Sequence, residues 1–373
     1  MSDRLLASPP RPLRFPNVPA LDGLRGLAAV AVVVHHCLGA SGAPTHISSW
    51  FDASQTASSF GYLGVDLFFV LSGYLITSLL LLARRRPSFY RNFYWKRVFR
   101  ILPALVLVLL LIRLLFHVPW NGILLALFFL SNIPLFWSVP SIGPFWSLAT
   151  EEQFYLLWPT IVHRTRARKL VHLLLVLMAV PVVFRTIEEA FHGGRAQYTP
   201  LHCDGLAWGA LLAILALRAR VPFRSRNAAA LWRNIGRWVL LAGVLLMLLS
   251  FLLLRAVHND FGLPVTAAAP LFAGALVFLL THPRNWIARA LASAPLRMLG
   301  AISYMVYLSH PYIMELYDIH FRGVPGLTLT VHIGLWLRFL VVLVLTLLWS
   351  QLSLHAFERP IGRLRRYFLR SDE

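Results

Sequence analysis

Residues 21–40 read LDGLRGLAAVAVVVHHCLGA. The run is apolar enough, and at about 20 residues long enough, to cross a bilayer as a single helix. It nevertheless carries Arg25 and the pair His35 and His36. Ionisable side chains inside a membrane segment are costly, so they mark candidate functional sites. Arg25 and His36 stand eleven residues apart, which at about 100° per residue is nearly three whole turns. The two therefore share one face, about 16 Å apart along the axis. His35 points about 100° away from that face and reads as structural. One helix thus presents a cation near one membrane surface and an imidazole toward the other.

The rest of the chain has the same character. Of its 373 residues 58% are hydrophobic and 13% charged, and the mean hydropathy is +0.67, which excludes a soluble domain of this length. The net charge of +20 would suggest nucleic acid in a soluble protein. In a chain of apolar runs the cations are instead topogenic, holding loops on the cytoplasmic side, and no nucleic-acid partner is expected. Two cysteines, Cys37 and Cys203, make no disulfide framework, and no metal-ligand spacing occurs, so no metal is expected. Residues 1–20 are polar, Pro-rich and basic and read as a cytoplasmic tail. The apolar run that follows is too long for the core of a cleaved signal peptide.

Apolar periodicity predicts an all-α integral membrane protein, a bundle of about ten transmembrane helices with both termini cytoplasmic. After the first span, the second covers about 61–82 and ends in Arg84, Arg85 and Arg86. A basic, aromatic interfacial segment, 89–103, precedes a third span at 101–116. Region 121–162 holds two apolar pieces, 122–137 and 145–162, split by Pro134, Pro140 and Pro144. Were both to cross, Arg164, Arg166, Arg168 and Lys169 would lie outside, against the positive-inside tendency. One piece is therefore expected to be broken or re-entrant, sheltered as a wall of the active site. Further spans are expected at about 170–187, 200–217, 239–256, 264–280, 299–317 and 333–354. A transmembrane domain over 21–358 is thus flanked by cytoplasmic tails, 1–20 and 359–373.

Several stretches resemble the acyltransferase family 3 membrane proteins. They are the first run with Arg25 and His36, YLGVDLFFVLSGYLIT (62–77), WKRVFRILP (95–103) with Arg97 and Arg100, FWSLATEEQFYLLWP (145–159), ISYMVYLSHP (302–311) and FERP (357–360). Their order along the chain matches the family's. The resemblance implies an inner-membrane enzyme that moves an acyl group, commonly acetyl from acetyl-CoA, onto a hydroxyl of a cell-envelope or exported glycan or a lipid-linked sugar. Membrane lipid and glycan-assembly proteins are the partners expected.

The residues suit that chemistry. Acyl transfer to a hydroxyl needs a base with a pKa near the working pH, the natural task of an imidazole, and His36 is the candidate. Asp66, near the same outer end of the second span, would orient it as the third member of a triad does, or simply cap its helix. Arg97 and Arg100, three apart on one face, read from composition alone as ordinary cytoplasmic charge; the resemblance makes them a clamp for the phosphates of acyl-CoA. Arg25 binds a phosphate or polarises the thioester, or else snorkels as a topology signal. Glu151, Tyr155 and Trp158 share a face at i, i+4 and i+7, offering a carboxylate beside rings that stack on a sugar, or an ion pair holding helices together. Ser303, Tyr307 and His310 form a polar stripe, lining a pocket or bonding helix to helix. Glu358 matches the family's closing motif or pairs with Arg359. His202, Cys203 and Asp204 point in different directions on a helix and read as structural. The rival reading is a transporter or flippase for a lipid-linked glycan, which would use the same broken helices and buried charges but no acyl-CoA.

Overall fold

The computed structural model describes residues 18–39, 50–133, 143–192, 199–220, 226–257, 262–321 and 332–369. Most of the expected N-terminal tail, and Pro134 and Pro140, lie outside them. The described chain is all helix. It opens with α1 (Pro19–Val34), which continues as a π-helical turn over His35–Gly39. Next come α2 (Trp50–Ser59), α3 (Gly64–Ala83), α4 (Phe89–Phe116), α5 (Trp120–Leu127) and α6 (Phe145–Arg164). The middle of the chain forms α7 (Ala167–His192), α8 (Thr199–Arg220), α9 (Arg226–Val257) and α10 (Gly262–Thr281). It closes with α11 (Trp286–Leu291), α12 (Ala294–Phe321), α13 (His332–Ser353) and α14 (Arg359–Arg363). Among the described residues, 7 helices are long and apolar enough to cross a membrane. Between them pack α6 and α12, whose charged or polar residues lower their hydropathy, and α8, whose described apolar stretch is His202–Leu217.

Side-chain pairs give the helices their directions. Ser72 meets Glu151, Thr77 meets Trp158 and Arg84 meets the carbonyl of His163, so α3 and α6 run parallel. Tyr90 lies against His163, Tyr94 reaches the carbonyl of Leu156 and Arg97 lies over Tyr155, so α4 runs antiparallel to α6. The eight residues of α5 span only about 12 Å, well short of a bilayer core. The chain therefore leaves α4 and enters α6 at the same end of the bundle. Among the described residues, the stretch between α4 and α6 holds no helix long enough to cross. The third span differs from its expectation: the interfacial segment and the span are one continuous 28-residue helix, α4, through Pro103.

Helix α1 is gripped on both sides by backbone. A Cβ on Gly23 would stand 1.9 Å from the carbonyl oxygen of Leu291, and one on Gly300 1.9 Å from that of Asp22. On the opposite side a Cβ on Gly61 would stand 2.2 Å from the carbonyl of Ala31. Small residues permit such close approach, which drives helix association where water supplies no hydrophobic force. Asp22 near the start of α1 and Glu358 beyond α13 line one cavity, so the two described ends of the chain meet at one end of the bundle.

Candidate active site

Two cavities meet in the core of the bundle. At the end where the termini gather lies a vestibule of about 900 Å³, between α1, α3, α4, α12 and the segment after α13. Among the described residues, eight cationic side chains line it against two acidic ones, Asp22 and Glu358. Deeper lies a narrow cavity of about 70 Å³, walled by α1, α3, α4, α6 and α12. Arg25, Arg97, Arg100 and Tyr304 line both, and so form the neck between them.

The neck is cationic and only loosely held. Arg97 lies 4.9 Å from the centroid of the Tyr155 ring and 5.9 Å from that of Phe93, cation–π contacts that leave its fork free. Among the described residues none of Arg25, Arg97 and Arg100 forms an ion pair. Facing them, Glu151 accepts hydrogen bonds from Ser72 Oγ and Tyr155 OH through one oxygen. Glu152 also lines the narrow cavity, and its Oε1 is buried without a hydrogen-bond partner among the described residues. Glu358 accepts from Ser353 Oγ at 3.1 Å at the vestibule wall, rather than pairing with Arg359.

The deep end leads to the histidines along α12. Ser303 and Tyr307 line the narrow cavity, and the Tyr307 hydroxyl lies 2.5 Å from Ser147 Oγ. One turn further, His310 sits with its ring centroid 6.0 Å from that of Tyr307, fully buried. Its Nε2 is 3.2 Å from His36 Nδ1. His36 therefore does not border the cavity itself; it is reached through Tyr307 and His310.

These contacts assign the protons. A carbonyl can only accept, so the 3.1 Å contact from His310 Nδ1 to the Val306 oxygen puts the proton of neutral His310 on Nδ1. Its Nε2 is then an acceptor. His36 Nδ1, near both that nitrogen and the Val32 oxygen at 3.0 Å, must be the donor. His36 Nε2 is left with its lone pair and no other hydrogen bond among the described residues. That is the form a general base requires.

The π turn under His36 is held from outside. Arg338 is 5% exposed and donates Nη1 to the Cys37 carbonyl at 3.3 Å. Its remaining donors form a two-pronged pair with Asp318, the Nε contact being 2.7 Å. Wide turns of this kind recur at functional sites because they re-aim one side chain inside a helix.

Two expected site residues sit elsewhere. Asp66 lies within α3 beside Asp204 and Arg185, and its intended partner His36 pairs with His310 instead. Trp158 donates Nε1 to Thr77 Oγ1 at 2.8 Å and stacks on Phe154 with centroids 5.0 Å apart; it fills the core and does not reach the cavity. It does share the Glu151 face, but seven residues on it stands about 10 Å further along the helix, past the end of the cavity that Glu151 and Tyr155 line. His202, Cys203 and Asp204 are separately engaged: Asp204 pairs with Arg185 through two contacts of 2.5 and 3.2 Å, Cys203 donates to the Leu177 carbonyl, and His202 packs on Trp146. Ser72, Ser147, Tyr304 and Arg338 were not singled out in the sequence. Each is a common residue type whose importance comes only from the helix opposite.

A family model described as an acyltransferase domain matches residues 18–355. The chain belongs to this acyltransferase family. It is 29% identical over 379 residues to YrhL of Bacillus subtilis strain 168, covering 92% of this chain and 55% of that protein. It is 27% identical over 390 residues to the O-acetyltransferase OatA of Staphylococcus aureus, covering 93% of this chain and 57% of OatA. It is 28% identical over 378 residues to the peptidoglycan O-acetyltransferase OatA of Listeria monocytogenes, covering 93% of this chain and 56% of that protein. The chain thus spans little more than half the length of these relatives. No solved structure matches it significantly.

Proposed function

We propose that this protein is a membrane O-acyltransferase that takes an acetyl group from acetyl-CoA and places it on a hydroxyl of a cell-envelope glycan. The observation that carries the reading is a cationic vestibule leading through the neck of Arg25, Arg97 and Arg100 to a narrow cavity that ends at Tyr307, with His310 and His36 in contact behind it. The donor's phosphates suit arginine forks, and its pantetheine arm suits a channel narrower than the vestibule. The small deep cavity favours a short acyl group. The names of the Staphylococcus and Listeria relatives, both O-acetyltransferases, support an acetyl group, and the peptidoglycan in the Listeria name supports an envelope acceptor.

In this reading ten helices cross the inner membrane. The vestibule and both ends of the chain face the cytoplasm, where acyl-CoA is made. The loop cations of 84–86 and 164–169 agree with that orientation. His36 Nε2 takes the proton of the acceptor hydroxyl as its oxygen attacks the thioester carbonyl. The C–S bond breaks, the CoA thiolate leaves, and the proton returns to it from His36. His310 keeps His36 in the reactive tautomer, and Glu151 with Tyr155 and Ser72 fixes the wall opposite the arginines. Asp66 and Trp158 contribute through helix packing.

The test is transfer of labelled acetyl from acetyl-CoA in membranes containing His36→Gln, with protein levels matched to wild type. Transfer is expected to fall by at least about 100-fold, the lower range for a general base. Wild-type rates in the variant, or a product without acetyl ester from the wild type, would overturn the proposal. The latter result would favour movement of a glycan without chemistry.

A further inference from the structure

Beyond the neck arginines, the segment after α13 forms a wall of the vestibule. The chain continues from α13 through a π turn, Leu354–Glu358, into α14 and a 3₁₀ turn, Leu364–Tyr367. Arg359, Gly362 and Arg365 of this segment line the same cavity as Arg97 and Arg100. The segment is anchored rather than merely adjacent. The Phe368 ring lies 4.4 Å from that of Trp95 and 5.2 Å from that of Phe99, centroid to centroid. Its carbonyl accepts from Arg91 Nε at 3.0 Å. Trp95 and Phe99 alternate on α4 with Arg97 and Arg100, so the anchor and the neck are built from the same two turns of helix.

We propose that this segment is part of the donor-binding site, supplying Arg359 and Arg365 to the phosphates on the nucleotide portion of acyl-CoA. The inference rests on the reading of acyl-CoA as the donor and assigns the far end of that molecule. A nucleotide bearing both a diphosphate and a 3′-phosphate carries more charge than a neck of three arginines can match, while pantetheine carries none. The vestibule brings cations from α1, the turn after α3, α4, α12 and the closing segment around one volume, which suits a ligand with anionic groups at two separated positions. Phe368 then acts as a latch: by seating on Trp95 and Phe99 it holds the 3₁₀ turn, and with it Arg365, over the bound nucleotide.

The experiment compares two donors with the full chain in membranes: acetyl-CoA, and acetyl-pantetheine, which lacks the nucleotide. For Arg365→Gln and for Phe368→Ala, the ratio of kcat/KM for acetyl-CoA to that for acetyl-pantetheine is expected to fall about tenfold, the size of one charge-assisted contact. Phe368→Trp should restore the ratio by refilling the ring slot. Adenosine 3′,5′-bisphosphate should inhibit wild type and inhibit Arg365→Gln about tenfold less well. A ratio equal to wild type in both variants would overturn the proposal, as would an equal loss with both donors. Arg365 is exposed, so its replacement carries the test even where Phe368→Ala fails to accumulate. Absence of transfer from acetyl-CoA in the wild type would overturn the donor reading itself, and is distinguishable because it needs no variant.

Discussion

Two sets of arginines in this bundle meet their surroundings in opposite ways. Arg185 and Arg338 are each 5% exposed, and each is consumed by an aspartate through two contacts, Asp204 and Asp318 respectively. Arg25, Arg97 and Arg100 face a cavity, carry no ion pair among the described residues, and stand close enough that Arg25 and Arg97 act electrostatically on Arg100. A buried pair is a finished contact that holds helices in register. A trio of like charges around open space is incomplete until an anion arrives. The difference separates scaffold from site better than burial or charge alone.

Breaking each set should therefore fail differently. Arg185→Ala leaves Asp204 buried and uncompensated, at a cost of about 3–5 kcal/mol. Thermal unfolding in detergent should show this as the largest stability loss of the series, and replacing Asp204 as well should recover part of it. A small change in the single variant would mean that the pair does not hold α7 to α8. Replacing Arg97 and Arg100 together by Gln should leave the unfolding temperature near wild type while raising KM for acetyl-CoA about 100-fold, two charge-assisted contacts at about tenfold each. That effect should also shrink the salt dependence of KM, because fewer charges meet the phosphates. Equal destabilisation of the two variants would erase the distinction drawn here.

The smallest expected effect tests the case between. Arg338 is paired with an aspartate as Arg185 is, yet it also touches the turn that carries His36. Arg338→Lys keeps the charge and loses the fork. It should lower kcat about tenfold, or ~1.4 kcal/mol, with KM for acetyl-CoA within about twofold of wild type. A change in KM alone would make Arg338 part of donor binding instead of a positioning residue for His36.

Much of this was legible in the order of residues. The i, i+4 contact of Glu151 with Tyr155 follows from helical pitch; eleven residues at the same pitch put Arg25 and His36 on one face, but His36 stands in a π turn and does not border the cavity that Arg25 lines. The charge on 164–169 argued that one of the pieces 122–137 and 145–162 does not cross, without saying which; among the described residues the first holds only α5, eight residues long. Periodicity assigns faces within a helix but not which helix lies opposite. The pairing of His36 with His310 joins residues 274 apart, and nothing local distinguishes it from a pairing with Asp66. Trp158 failed for the same reason, since its face met Thr77 on α3 instead of the cavity. The π turn was likewise illegible, being held by Arg338 from the far end of the chain.

The glycine contacts on either side of α1 carry a mechanical consequence. With the backbone of α11 and α12 against one flank and that of the turn before α3 against the other, α1 has no room to slide by a residue or to roll. A shift of one position would drive the side chain of Leu24 or Asp22 into a carbonyl that now touches glycine. Transport by rocking needs a movable partition, and the helix bearing both the arginine and the imidazole is instead a fixed one. On the proposed acyl-transfer reading, traffic between the two sides would consist of a small group handed across a stationary wall, with the donor's bulk remaining on the side it entered.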